Sequence, residues 1–172
     1  MEIELRAADG TLKEKRVIDD FTQMIINENR GGDNVRLQLF DENGILKDER
    51  TIHNTVTTAG LYGIIDQVIA SPTLPKMGWM EVGTGTGGTT TLTSYIAGSR
   101  TAFDSKARSN AIVTVITTFP AGTGTGDITE AGTFDVVTEN TANMWMYASF
   151  TAIPKAAGDS LVVTWTLTAA TA

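Results

Sequence analysis

Gly83, Gly85 and Gly88, in the stretch GTGTGG, repeat the glycine spacing of a dinucleotide-binding loop. In such a loop the backbone approaches a pyrophosphate closely, and the amides at the start of the following helix hold its charge. Here the next residues are TTTLTSY, which supply no helix N-terminus, so the stretch reads as a turn between strands. A second GTGTG at 122–126, also flanked by strand-like sequence, supports that reading.

His53 is the only histidine, so a Ser-His-Asp triad or a His-based metal site would hang on one residue with no nucleophile motif beside it. Placed between a strand and a helix start, it reads as a local hydrogen-bonding residue. Glu130, Asp135 and Asp159 could flank a glycosidic bond only if two of them faced each other across a sugar, and they read instead as scattered, solvated turn residues. Asp41, Asn43 and Asp48 suggest a calcium loop, but Leu46 stands at the sixth position, where that loop needs glycine. There is no cysteine, which removes thiolate nucleophiles, cysteine metal sites and disulfide scaffolds together. The expectation is a non-enzymatic chain with no catalytic residue, no cofactor and no metal.

A formal charge of −7 and a pI near 4.6 argue against nucleic acid as a partner, because duplex binding needs phosphate-neutralising cations on one face. The longest apolar runs, IVTVI and LYGII, are too short to cross a bilayer, so no membrane partner is expected either. The first ten residues, MEIELRAADG, carry acids where a secretory signal would be basic and then apolar, which points to assembly in the cytoplasm of the producing cell. The 172 residues, 41% of them hydrophobic, suffice for one sizeable core.

The elements that would position these groups fall into two regions. Residues 1–50 hold 20 of the 33 charged side chains, whereas residues 51–172 hold 26 of the 28 threonines, so the chain turns β-rich after about residue 50. Within the charged region GTLKEKRVI at 10–18 is echoed thirty-four positions later by GILKDERTI at 44–52. Each echo closes a hairpin pattern, one around Asp9-Gly10 and the other around Asn43-Gly44. Each is followed by a helical pattern: Val17, Phe21, Met24 and Ile25 share one face of the first, and Leu61, Ile64, Ile65, Val68 and Ile69 one face of the second. Asn54 or Thr55 would cap the second helix and Pro72 would stop it, with Gly60 and Gly63 counting against it. This divides the chain into a hairpin-helix N-terminal arm at 1–34, a candidate duplicate of 35–70, and a β-rich domain at 35–172.

From residue 78 the pattern is all β. GWMEVG is a short strand ending at glycine, AIVTVITTF a strong one, and DITEAGTFDVV a strand interrupted at Ala131-Gly132. MWMYASFT sets Met144, Met146, Ala148 and Phe150 on one face, and SLVVTWTLT sets Leu161, Val163, Trp165 and Leu167 on one face. The intervening AIPKAAGDS reads as a hairpin loop, so these two strands are expected to pair. The fold class is mainly β, an antiparallel sandwich or small barrel with one or two short helices, preceded by the arm. Candidate partner-interface residues are Val17, Phe21, Met24 and Ile25 on the arm, together with Trp145, which stands opposite Met144 and Met146 and is expected to be partly exposed.

The segments TIHNTVTTAGLYGIIDQVIA, WMEVGTGTGGTTTLTSY with Arg100 downstream, DITEAGTFDVV and AAGDSLVVTWTLT, in that order over about residues 36–168, resemble a module of structural proteins in tailed-bacteriophage virions. ITEAGTF at 128–134 and GDSLVVTWTLT are the most distinctive pieces. TLTSYIAGSR is less acidic than the family's version, and residues 1–30 lie outside the module. The resemblance implies a β-rich subunit of a symmetric assembly, without catalytic residues. The leading expectation is therefore a capsid decoration or cement protein on the virion surface. Its partners would be the major capsid protein and copies of itself, as a homo-oligomer with a trimer among the candidate forms. The alternative is a tail, collar or fibre component contacting a host-surface receptor through the turns at 84–91, 104–110 and 121–127.

Overall fold

The computed structural model describes residues 34–141 and 143–169 and, ahead of them, the backbone of two strands at 2–6 and 12–17. Those two strands, β1 (Glu2–Arg6) and β2 (Leu12–Val17), form a separate antiparallel ribbon. The second hairpin follows as β3 (Asn34–Phe40) and β4 (Leu46–His53). Its turn is held by Asp41, whose Oδ1 accepts the amides of Asn43 at 2.9 Å and Ile45 at 2.8 Å, while Gly44 takes the positive φ of 78° that the turn requires.

The remaining elements are β5 (Thr55–Val56), α1 (Thr58–Asp66), β6 (Trp79–Gly83), β7 (Thr101–Ala102), β8 (Ser105–Ser109), β9 (Ile112–Phe119), β10 (Gly126–Phe134), β11 (Met144–Lys155) and β12 (Ser160–Thr168). They build two five-stranded antiparallel sheets, ordered β5-β11-β10-β6-β7 and β4-β3-β12-β9-β8. The molecule is a β-sandwich, not a closed barrel. Alternation along the strands supplies the core: Val35, Leu37 and Leu39 of β3 and Leu161, Val163 and Trp165 of β12 are almost wholly buried against Met80, Val82, Ile128, Met146 and Ala148 of the other sheet.

Several expectations are corrected. The strands β11 and β12 do not pair; AIPKAAGDS crosses from one sheet to the other. Both strands present an apolar face inward, so they meet across the core, and β12 takes β3 and β9 as neighbours. Strand β10 runs unbroken through Ala131-Gly132, and its register shifts fall between Ile128 and Glu130 and between Thr133 and Phe134. Gly132 is needed for closeness, since a Cβ there would lie 2.6 Å from the Met144 sulfur. The stretch 104–110 is not an open turn but the edge strand β8, reversing at Asn110 with φ 52°.

The helix is also differently seated. Its cap is Thr57, whose hydroxyl accepts the Gly60 amide at 3.0 Å, because Thr55 is already engaged in β5. Gly60 and Gly63 are its buried residues, which turns Ile65, Val68 and Ile69 outward. Val17 ends β2 and does not open a helix, and the first helical pattern, with Phe21, Met24 and Ile25, lies outside the described residues.

Candidate functional site

Three local arrangements stand out: a carboxylate wrapped by the glycine loop, a buried ion pair on an aromatic ring, and an apolar surface around α1. The first two carry the groups that seemed able to do chemistry.

Glu130 is fully buried at the centre of β10. Its Oε1 accepts the amides of Ser94 at 2.8 Å and Gly85 at 3.2 Å, and its Oε2 accepts the Thr93 amide and the Tyr147 hydroxyl, each at 3.2 Å. The Gly87 amide in turn donates to the Tyr147 hydroxyl at 2.6 Å. Burial, reinforced by the neighbouring Glu130 charge, raises the Tyr147 pKa even though the Gly87 and Gly88 amides act to lower it. The GTGTGG loop thus does aim one amide, that of Gly85, at an anion, but the anion belongs to the chain itself. A Cβ at Gly85 would sit 2.7 Å from that carboxylate, so the glycine serves close packing around it. Four donors on one buried carboxylate leave no opening for a phosphate.

Arg100 and Glu81 form a buried ion pair at 2.9 Å. The guanidinium lies 3.5 Å from the centroid of the Phe134 ring and also donates to the Val136 carbonyl at 2.8 Å. Burial pushes the Glu81 carboxyl up, and the Arg100 contact opposes that rise. Asp135, next in sequence to Phe134, is buried, and its carboxylate oxygens have no hydrogen-bond partner among the described residues. The desolvation cost of burying an ion pair such as Arg100–Glu81 offsets much of its mutual attraction. The segments that carry the resemblance, WMEVG, Arg100 and EAGTF, therefore fold into one contiguous unit.

Glu130, Asp135 and Asp159 are all buried, which corrects their reading as solvated turn residues. Asp159 receives Lys47 Nζ at 2.7 Å and the Ala156 amide at 2.9 Å and so ties β4 to the entry of β12. The three acids serve separate structural tasks. His53, at the exposed end of β4, faces Asn34 in register. Among the described residues no group of three or more His, Asp or Glu side chains is placed to hold a metal ion, and no helix is long and apolar enough to cross a membrane.

Trp145 is only 6% exposed, against the expectation of a partly open partner residue. The helix covers it. The Thr57 amide donates to the Trp145 carbonyl at 2.9 Å, and Cβ atoms at Gly60 and Gly63 would collide with the Trp145 carbonyl at 2.0 Å and its indole at 2.2 Å. The two glycines that weakened the helical pattern are what allow α1 to lie directly on the sheet.

Because α1 buries its glycines, Tyr62, Ile65, Val68 and Ile69 project outward at 66%, 47%, 72% and 53% exposure. The turn after the helix is tied back to it by hydrogen bonds. Asp66 accepts the amides of Thr73 and Leu74 and the Thr73 hydroxyl, each at 2.8 Å, and these bonds hold its carboxyl below the usual range. Tyr62 and Ile65 thus stand in water on α1, and Val68 and Ile69 in the turn that follows it. The sequence pattern groups Ile65, Val68 and Ile69 on one face, but apolar periodicity alone cannot tell which side of a glycine-bearing helix meets the core.

Comparison with protein-family models, with curated proteins and with solved structures returned no match to this chain.

Proposed function

We propose that the protein is a non-enzymatic structural subunit of a bacteriophage virion, a decoration or cement protein that binds the outside of the head. The observation that carries this reading is the held apolar face of Tyr62, Ile65, Val68 and Ile69. Exposed, ordered patches of this kind on a small β-domain are characteristic of protein contact surfaces. The resemblance of residues 36–168 to virion modules supplies the setting, and repeated copies on a symmetric shell would multiply a modest interface into high avidity. In this reading the α1 face meets the shell protein or another copy of the chain, and the β1–β2 ribbon is a second, outlying contact.

The test replaces Val68 and Ile69 together by glutamate. Both side chains already face water, so the thermal unfolding midpoint should stay within about 2 °C of wild type, a surface-substitution effect. Binding to undecorated particles should fall by at least about tenfold. Unchanged binding would remove the α1 face from the assembly contact.

A further inference from the structure

Between α1 and the edge of the β4-β3-β12-β9-β8 sheet lies an open groove of about 550 Å³. Its floor is apolar, formed by Ile64, Trp145, Met146, Val113 and Leu167, and its rim carries Lys76, Lys106 and Arg108. Lys106 faces Val115 across the β8–β9 pair and Arg108 faces Val113, so both cations stand on the inward side of the sheet, overhanging the groove. Lys106 is anchored there by donating to the Met77 carbonyl at 2.8 Å. Three cations over an apolar floor, on a chain of net charge −7, mark a site for an acidic amphipathic segment.

The sequence of the same chain contains such a segment. Residues 18–29 contain Asp19, Asp20 and Glu28, no Lys or Arg, and the apolar set Phe21, Met24 and Ile25. We infer that residues 18–29 dock in this groove of their own subunit, with Phe21, Met24 and Ile25 on the apolar floor and the acids toward the cationic rim.

Register makes the reach short. The start of β3 lies in the row Val35–Trp165–Val115–Lys106, and the next row outward is Leu167–Val113–Arg108, which supplies groove residues. At about 4.8 Å between neighbouring strands, β3 is roughly 10 Å from β9 and about 14 Å from β8. Residues 30–33 join Asn29 to Asn34, five Cα steps that span up to about 17 Å when extended. This assignment does not depend on the virion reading. It gives the arm's apolar set a place within the subunit and leaves the β1–β2 ribbon as the part that extends elsewhere.

The chain has no cysteine, so a disulfide test starts from a silent background. Met24→Cys is combined with Leu167→Cys in the full-length protein, and as a control with Ile45→Cys, at the β3–β4 turn on the opposite end of the sheet. Mild oxidation should give an intrachain disulfide in the first pair, seen as a faster monomer band on a non-reducing gel. Its rate should exceed that of the control pair by at least about tenfold, as expected for a high local concentration. Met24→Cys with Val113→Cys gives the same reading should Leu167→Cys impair folding. Adding Lys106→Glu and Arg108→Glu should slow the reaction severalfold. A dimer band would overturn the proposal by assigning the groove to the segment of a second copy, and rates no higher than the control would overturn docking altogether.

Discussion

The two hairpins near the N-terminus have the same pairing and different surroundings. In the first, Leu5 pairs with Glu14 and Arg6 with Leu12, across a register shift; thirty-four residues later Leu39 pairs with Asp48 and Phe40 with Leu46, across a shift at the same place. Every Cα partnership given for β1–β2 recurs in β3–β4 at that offset, from Glu2–Val17 and Arg36–Thr51 onward. Yet β3 lies beside β12 inside a five-stranded sheet, whereas β1 and β2 form a sheet of two strands. Local sequence of the LK-acid-x-R type therefore sets turn and register, and the neighbours decide whether the hairpin becomes part of a core. The shared register is what the echo in sequence produces in structure.

The segments that follow the hairpins diverge where packing demands it. Gly60 and Gly63, which let α1 lie on Trp145, correspond at the same offset to Ile26 and Asn29. A side chain at Gly60 or Gly63 would strike Trp145, so the seat of α1 depends on two glycines that the echo does not carry.

Substitution at matched positions tests this contrast. The largest effect is expected from Leu37→Ala, which empties a fully buried site in β3 and should cost about 2–5 kcal/mol in chemical denaturation. Its counterpart Ile3→Ala should shift the sandwich transition by no more than about 0.5 kcal/mol. Equal losses would mean that both hairpins share one core. Next, Gly60→Ala places a methyl group against the Trp145 backbone and should cost about 1–3 kcal/mol. A red shift of tryptophan emission as α1 lifts would accompany it, and an unaltered spectrum with unaltered stability would refute the close seat.

The smallest effect concerns pH. The Lys47 hydrogen bond, aided by the Ala156 amide, holds the Asp159 carboxyl below its usual range. A lowered folded pKa stabilises the fold above the ordinary aspartate value of about 3.9 and is lost as pH falls through the lowered value. Acid titration of stability should therefore be shallower in Lys47→Met than in wild type. Lys13→Met, at the equivalent position of the first hairpin, should leave the profile unchanged. If both variants flatten it alike, the contrast between the hairpins does not extend to this contact.

How much was legible follows from the range of the interactions. The Asn43-Gly44 turn, the apolar faces of β11 and β12, and the strand ending at Gly83 follow from local pattern and are readable in the sequence. The pairing of β11 with β5 and β10, and not with β12, depends on two apolar faces meeting across a core, which no single segment encodes. Trp145 was misplaced because alternation assigns it to the solvent side, and only the docking of a glycine-faced helix covers that side. Glu130 was missed because a lone acid in a Thr-Gly context resembles any turn residue. Its partners lie at positions 85, 93, 94 and 147 and converge only in the folded chain.

The most direct test of the virion assignment is the copy number of this protein relative to the shell-forming protein in purified particles from its source. The decoration reading predicts a number comparable to that of the shell protein, lowered when Val68 and Ile69 are replaced by glutamate. A few copies per particle would contradict decoration in favour of a collar or fibre position, and absence from particles would contradict the virion assignment itself.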